Sequence, residues 1–212
     1  MKEYADKIGI EFFCSAFYPE AIKFLISIGV KRFKVASRTC LFTDPFSEEV
    51  LEKKASSKKE IIISMGMGGN TKKIKKIFDR NKTIFCYCIS DYPLEFKKIN
   101  WNEAMKFEGF SDHTIGITAP LIFAVMKKEK NAEHILIEKH VKLKESTGPD
   151  AETSIDTDRA CKKSACTKRG DAKWCGLIQR GDGNGDCRMA DSSFTLPKRR
   201  IVTVHAACNS LL

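Results

Sequence analysis

The chain has 212 residues and a mass of 23.9 kDa, with 42% apolar side chains, 30% charged side chains and a formal charge of +10. That is enough apolar material for one core and roughly one to one and a half domains, and it excludes a disordered tail protein. The charge is uneven, since residues 161–212 hold ten Lys or Arg against four Asp.

The N-terminal stretch MKEYADKIGIEFF carries acids and lysines where a signal peptide would be apolar. The longest charge-free apolar run, Ile115 to Met126, is too short to span a bilayer and contains Pro120. A cytoplasmic protein without a membrane partner is expected. Strand-like runs follow in order: EFFCS (11–15), RFKVA (32–36), EIIIS (60–64), TIFCYC (83–88), EGFSDH (108–113) and HILIEKH (134–140). Helix-period segments separate them: PEAIKFLISIG, opened by Pro19 and Glu20; SEEVLEKKASS; NTKKIKKIFDR, with Asn70 as N-cap; and GITAPLIFAVMKK. Strands alternating with helices predict an α/β fold built on a parallel sheet.

Beyond residue 158 this pattern stops, so residues 1–158 are expected to form the folded domain and 159–212 a basic, Cys-rich, irregular tail. Cys14, Cys40, Cys86 and Cys88 sit in or beside apolar runs, where free thiols act as small buried hydrophobes in a reducing compartment. The tail cysteines have no CxxC spacing, which argues against a structural zinc site. DGNGD (182–186) starts like a calcium loop, but Cys187 stands where the turn needs Gly and Ser193 where it needs Glu. The tail also lacks the interleaved aromatics of a nucleic-acid surface, so no nucleic-acid partner is expected.

No GxGxxG or GxxxxGK[ST] sequence follows the first strand. Polar residues recur instead at the C-terminal end of every strand: Ser15, Ser37, Ser64 with Gly66, Ser90 with Tyr92, Ser111 with Asp112 and His113, and Glu138 with His140. This distribution favours a (β/α)8 TIM barrel over an open sheet, because a barrel assembles its site from all its strand ends. Six βα units are present where a closed barrel needs eight, so a partial barrel is expected. His113 and His140 lie one βα unit apart and could share one divalent metal, with Asp112 and Glu138 fixing the imidazole tautomers. Lys34 points opposite to Phe33 and Val35, into a barrel lumen, where it and the serine hydroxyls would suit a phosphate. The competing readings are packed surface histidines and a solvent-facing edge lysine.

These residues together resemble the sialic acid synthase family, the NeuB-like synthases of N-acetylneuraminate, legionaminate or pseudaminate. The resemblance covers about residues 5–158 and rests on GFSDHTIGI (109–117), ILIEKHVKL (135–143) and TGPDAETS (147–154), in the family's order and at fitting distances. CISDYP (88–93), IIISMGM (61–67) and FKVAS (33–37) are similar to further family segments. The resemblance implies a transferase of carbohydrate biosynthesis that condenses phosphoenolpyruvate with an N-acylated mannosamine-type sugar inside a TIM barrel. By motif, Lys34, Ser37, Ser15, Ser90 and Ser111 would hold phosphoenolpyruvate. His113 and His140 would bind the metal, usually Mn2+, with Mg2+ or Co2+ as alternatives. Tyr92 and Asp150 would face the sugar. A homodimer is compatible with the family pattern.

The departures are specific. The family's first two strands, with a glutamate in EIG-NH and a second phosphate-binding lysine, would precede Met1. Thr39 stands where an acidic residue usually follows the KI-S segment, and Met65 replaces a threonine. These departures leave a second expectation open, a non-catalytic fragment or decayed family member, and imply that this chain alone is inactive as a synthase.

Overall fold

The computed structural model describes residues 1–132, 135–156, 174–176 and 202–204. After a short helix α1 (Lys2–Lys7), strands and helices alternate: α2 (Pro19–Ser27), β1 (Arg32–Val35), α3 (Ser47–Ser56), β2 (Glu60–Ser64), α4 (Thr71–Ile77), β3 (Thr83–Cys88), α5 (Trp101–Ala104), β4 (Gly109–Asp112), α6 (Thr118–Glu129) and β5 (Leu136–Lys139). Pro19 opens α2, where its missing N–H costs nothing, and the Asn70 side chain accepts from Lys73 N at 3.0 Å to cap α4. The five strands pair in chain order, β1-β2-β3-β4-β5, and every pair is parallel. The result is half of a barrel wall, with helices on its outer face.

Side-chain alternation divides the sheet into two faces. Outward, Phe33, Val35, Ile61 and Ile63 pack with Ile22, Leu25, Val50, Leu51, Ile74 and Phe78. Phe110 and Ile137 continue that layer with Ala119 and Phe123 of α6, and the Phe110 ring stacks on Phe123 at 5.1 Å between centroids. Inward, Ile62, Cys86 and Leu136 form a small cluster with Phe13 and Ile84. Gly109 also faces inward, where a Cβ would meet Cys86 Sγ at 2.6 Å, so only glycine lets β3 and β4 pack at this point.

The expectation of six strand-and-helix units is corrected to five strands. Segment 11–15 runs alongside β1 but makes only one parallel bridge, Ser15 to Lys34, with Lys34 N to Cys14 O at 3.4 Å. Side chains hold it where a ladder would have done so. Arg32 Nε meets Glu11 Oε1 at 2.6 Å, and Lys54 Nζ, from α3, donates to Ala16 O at 3.0 Å and Lys34 O at 2.9 Å. Two further strands, β6 (Val141–Lys142) and β7 (Ile155–Asp156), pair in parallel and fold the segment containing Asp150 back toward β5. In the C-terminal region β8 (Trp174–Gly176) pairs with β9 (Val202–Val204), and β9 lies beside β5. The rest of the expected tail lies outside the described residues. Among those residues, no helix is long and apolar enough to cross a membrane.

Lys54 has no exposed surface, and burial, with smaller contributions from neighbouring charges, lowers its pKa from 10.5 to about 7. The unfolded chain therefore binds more protons than the folded chain between those values, and stability rises with pH across that window. Raising the pH from 7 to 9 should add about 2 kcal/mol through this group, an increment that Lys54→Met removes. Urea unfolding of both proteins at the two pH values checks the difference between their pH slopes. Equal slopes would refute this account of Lys54.

Candidate active site

The inward face becomes polar toward the C-terminal ends of its strands. Lys34 of β1 is 3% exposed, and its ammonium meets Glu138 Oε2 of β5 at 2.8 Å while also donating to Ser64 Oγ of β2. Burial opposes the charge on Lys34, but Glu138, together with Cys86 and Cys88, outweighs it and holds the pKa above the ordinary lysine value. A permanent cation thus sits in the lumen. Ser111, opposite both Cys88 and Glu138 in register, lies on the same wall, and Ser15 bridges the backbone of Lys34.

One level higher, Ser37 Oγ accepts from Gly66 N at 2.9 Å and donates to Cys88 Sγ at 3.6 Å, linking the ends of β1, β2 and β3. A Cβ on Gly66 would stand 2.6 Å from Cys88 Sγ and 2.8 Å from Ser90 Oγ, so the close approach of these strand ends requires glycine. Cys88 is not the inert hydrophobe its sequence context predicts. Burial disfavours its thiolate, yet the hydrogen bond and charge of His113, with Lys34 and Ser37, lower its pKa below the usual thiol value. Burial likewise opposes the charged His113 ring, but Cys88 raises its pKa. Cys40 behaves as expected, with burial raising its pKa to about 11.

His113 and His140 come together, their ring centroids 5.2 Å apart. The Tyr92 ring lies over both, 4.1 Å from His113 and 5.9 Å from His140, placed there by a bridge between Leu94 and Thr114 and by Leu94 N donating to His113 O at 2.9 Å. Partial burial, then the charges of Cys88, Asp150 and Glu138, push the Tyr92 pKa up, so its hydroxyl keeps its proton. Asp150 reaches His140, with Oδ2 3.7 Å from Nδ1.

The expected carboxylate roles are corrected. His113 Nδ1 donates to the Ile89 carbonyl at 2.7 Å, so a backbone group fixes its tautomer and leaves Nε2 as the other ring nitrogen. Asp112 points to the opposite face of the sheet and pairs with Lys139 at 2.7 Å, while Glu138 pairs with Lys34. Thr39 is 2% exposed at the end of β1, in the short 3-10 turn Ser37–Leu41. The structure therefore gathers Ser15, Lys34, Ser37, Ser90, Tyr92, Ser111, His113, His140 and Asp150 at one end of the sheet. Sequence reasoning missed Lys54, Lys139 and the Cys88–His113 couple. Lysine in a helix or at a strand end normally signals solvent, and the CYCIS run gave no sign that its second cysteine faces an imidazole.

In their neutral forms, with the proton of the His113–Cys88 couple released, the two imidazoles suit a divalent metal as a pair of nitrogen donors with further coordination positions open. Among the described residues, no group of three His, Cys, Asp or Glu side chains is arranged to hold a metal ion.

A family model described as the NeuB family matches residues 1–162. The chain is 32% identical over 176 residues to the N,N'-diacetyllegionaminic acid synthase of Legionella pneumophila, covering 74% of this chain and 46% of that protein. It is 27% identical over 224 residues to the human N-acetylneuraminate-9-phosphate synthase, covering 100% of this chain and 54% of the human protein. A solved N-acetylneuraminic acid (sialic acid) synthetase from Leptospira borgpetersenii superposes with a TM-score of 0.66 at 29% identity, over 79% of this chain and 59% of that one. The chain spans about half the length of the curated relatives it matches.

The Lys34–Glu138 pair makes a specific prediction about stability. Glu138→Leu strands a buried ammonium and should cost about 3 kcal/mol, whereas the Lys34→Met/Glu138→Leu double variant should recover most of that loss. Chemical denaturation of the three proteins checks it. A single variant as stable as the parent would show that the ion pair does not hold the sheet ends together.

Proposed function

This chain belongs to the NeuB family, and on that premise we propose that it carries the phosphoenolpyruvate and metal subsites of a nonulosonic acid synthase. The reaction joins phosphoenolpyruvate to the aldehyde of an N-acyl-mannosamine-type sugar. C3 of phosphoenolpyruvate bonds to the aldehyde carbon, the aldehyde oxygen gains a proton, water adds at C2, and phosphate departs. The observation that carries this reading is the convergence of His113 and His140, 5.2 Å apart between ring centroids, on the strand-end face that also holds the buried Lys34 cation.

Lys34 supplies a fixed positive charge for the phosphate or carboxylate of phosphoenolpyruvate, and Ser15, Ser37, Ser90 and Ser111 supply hydroxyl donors around it. His113 and His140 offer two nitrogens to Mn2+, with Mg2+ or Co2+ as alternatives. When bound, such an ion supplies Lewis-acid polarisation of the sugar carbonyl. Tyr92, held protonated, presents a hydrogen-bond donor to the sugar beside Asp150. The free thiols Cys14, Cys40, Cys86 and Cys88 support a reducing, cytoplasmic setting. A homodimer is part of the same proposal.

Thr39 favours a second reading. A buried hydroxyl stands at a position where the family pattern expects a carboxylate, so the protein would bind without turning over. General acid or base groups are typically worth about a hundred-fold or more in rate. Phosphate release from phosphoenolpyruvate, N-acetylmannosamine and Mn2+ separates the two readings, since the binding-only reading predicts none.

Isothermal titration of Mn2+ and of phosphoenolpyruvate tests the subsites that both readings share. His113→Ala and His140→Ala should each weaken Mn2+ by at least about ten-fold. Lys34→Met should remove phosphoenolpyruvate binding while leaving Mn2+ affinity within about three-fold, a crossed pattern that follows from separate ligand sets. Full Mn2+ affinity in either histidine variant would overturn the shared site.

A further inference from the structure

Opposite the candidate site, on the outer face of the same two strands, lies a buried ion pair that the proposed reaction does not use. Asp112 ends β4 and Lys139 ends β5; they are register partners, 0% and 1% exposed. Lys139 Nζ meets Asp112 Oδ2 at 2.7 Å and also donates to the Thr114 carbonyl. Asp112 Oδ1 accepts from Thr114 N at 3.0 Å, and Oδ2 accepts from Thr114 Oγ1 at 3.1 Å. The residues on both sides of His113 are therefore clamped through one carboxylate and one ammonium. The residue after Lys139 is His140, so the same pair anchors the backbone that precedes the second imidazole.

A buried ion pair has little net effect on stability compared with well-packed apolar side chains of similar volume, because two charges must be stripped of water. What it supplies is geometry, since opposite charges in a dry layer accept only one register between β4 and β5. Strand alternation converts that register into the relative placement of the next residue on each strand. His113 and His140 are those next residues.

We propose that Asp112 and Lys139 are positioning residues, an ion pair on the outer face of the sheet that sets the spacing and orientation of the His113 and His140 rings on the inner face. The proposal rests on the metal reading above for its consequence, a site prepared to receive a divalent cation, but the positioning has a readout of its own. His113 Nδ1 donates to the Ile89 carbonyl at 2.7 Å, a contact between the protein's own groups that would report any displacement of the 112–114 segment.

The test uses the full 212-residue chain carrying Asp112→Leu with Lys139→Met, which replaces the pair by apolar groups and keeps the layer filled. Three measurements are made: the unfolding midpoint, the imidazole Nδ1–H resonance of His113 by 15N-edited NMR, and Mn2+ affinity by electron paramagnetic resonance. The expected result is a native-like midpoint with the His113 resonance shifted or lost and Mn2+ binding weakened about ten-fold or more. A folded double variant that keeps both the resonance and the affinity of the parent overturns the proposal. Should the double variant not fold, Asp112→Asn, which retains the size of the side chain but not its charge, is scored by the same resonance and affinity. Parental values in that variant overturn the proposal equally. A parent that binds no Mn2+ defeats the metal reading alone. The resonance then decides the positioning, with its loss supporting the proposal and its persistence refuting it.

Discussion

The contact between Lys34 and Glu138 sets the shape of the molecule. These residues belong to the two outermost strands of a five-stranded sheet, and four inter-strand steps of about 4.8 Å would separate those strands by about 19 Å if the sheet were flat. Their charged ends nevertheless meet at 2.8 Å, which the two side chains achieve only if the sheet curls strongly toward its inner face. Curvature at this level makes an inside and an outside. Phe33, Ile61, Phe110 and Ile137 on the outer face are covered by helices, and Lys34, Ser64 and Ser111 are confined to a small concave space where each strand end comes close to the others.

Confinement then determines chemistry. Burial by itself lowers the pKa of so dry a lysine; Glu138 across the sheet is the largest influence in the opposite direction. Cys88 and His113 show the same coupling on a smaller scale, each stabilising the charged form of the other against a burial cost that both share. Lys54 shows the opposite outcome. Its two acceptors are neutral carbonyls, and burial prevails. Two buried lysines of the same intrinsic basicity, Lys34 and Lys54, thus shift in opposite directions because of what faces them.

The two faces also divide the roles of neighbouring residues in the short motifs. In GFSDHT, Ser111 and His113 face inward while Phe110 and Asp112 build the outer layer. In IEKH, Glu138 reaches into the lumen and Lys139 is buried behind it. A dense motif of this kind is two faces read at a period of two, polar groups gathered around the lumen on one and apolar packing with a buried ion pair on the other.

The sequence by itself determined the α/β class, all five strands of the sheet and the cap at Asn70, and it offered the inward Lys34 and the meeting of His113 with His140 as one of two readings each. Each of these is carried by local pattern: β-branched runs, helical period, a capping residue, and strand alternation repeated at intervals of one βα unit. Tertiary structure alone decided the partners. Segment 11–15 reads as a strand but is held to β1 by Arg32 and Lys54, because ladder formation depends on a neighbouring backbone and not on propensity. Asp112 and Glu138 were expected to orient histidines, yet each has a lysine as its partner, and Cys88 looked apolar until His113 faced it. The reason is physical: a side chain's direction is set by backbone geometry within a few residues, whereas its charge state and its partner are set by groups dozens of residues away, which only curvature of the sheet brings into contact.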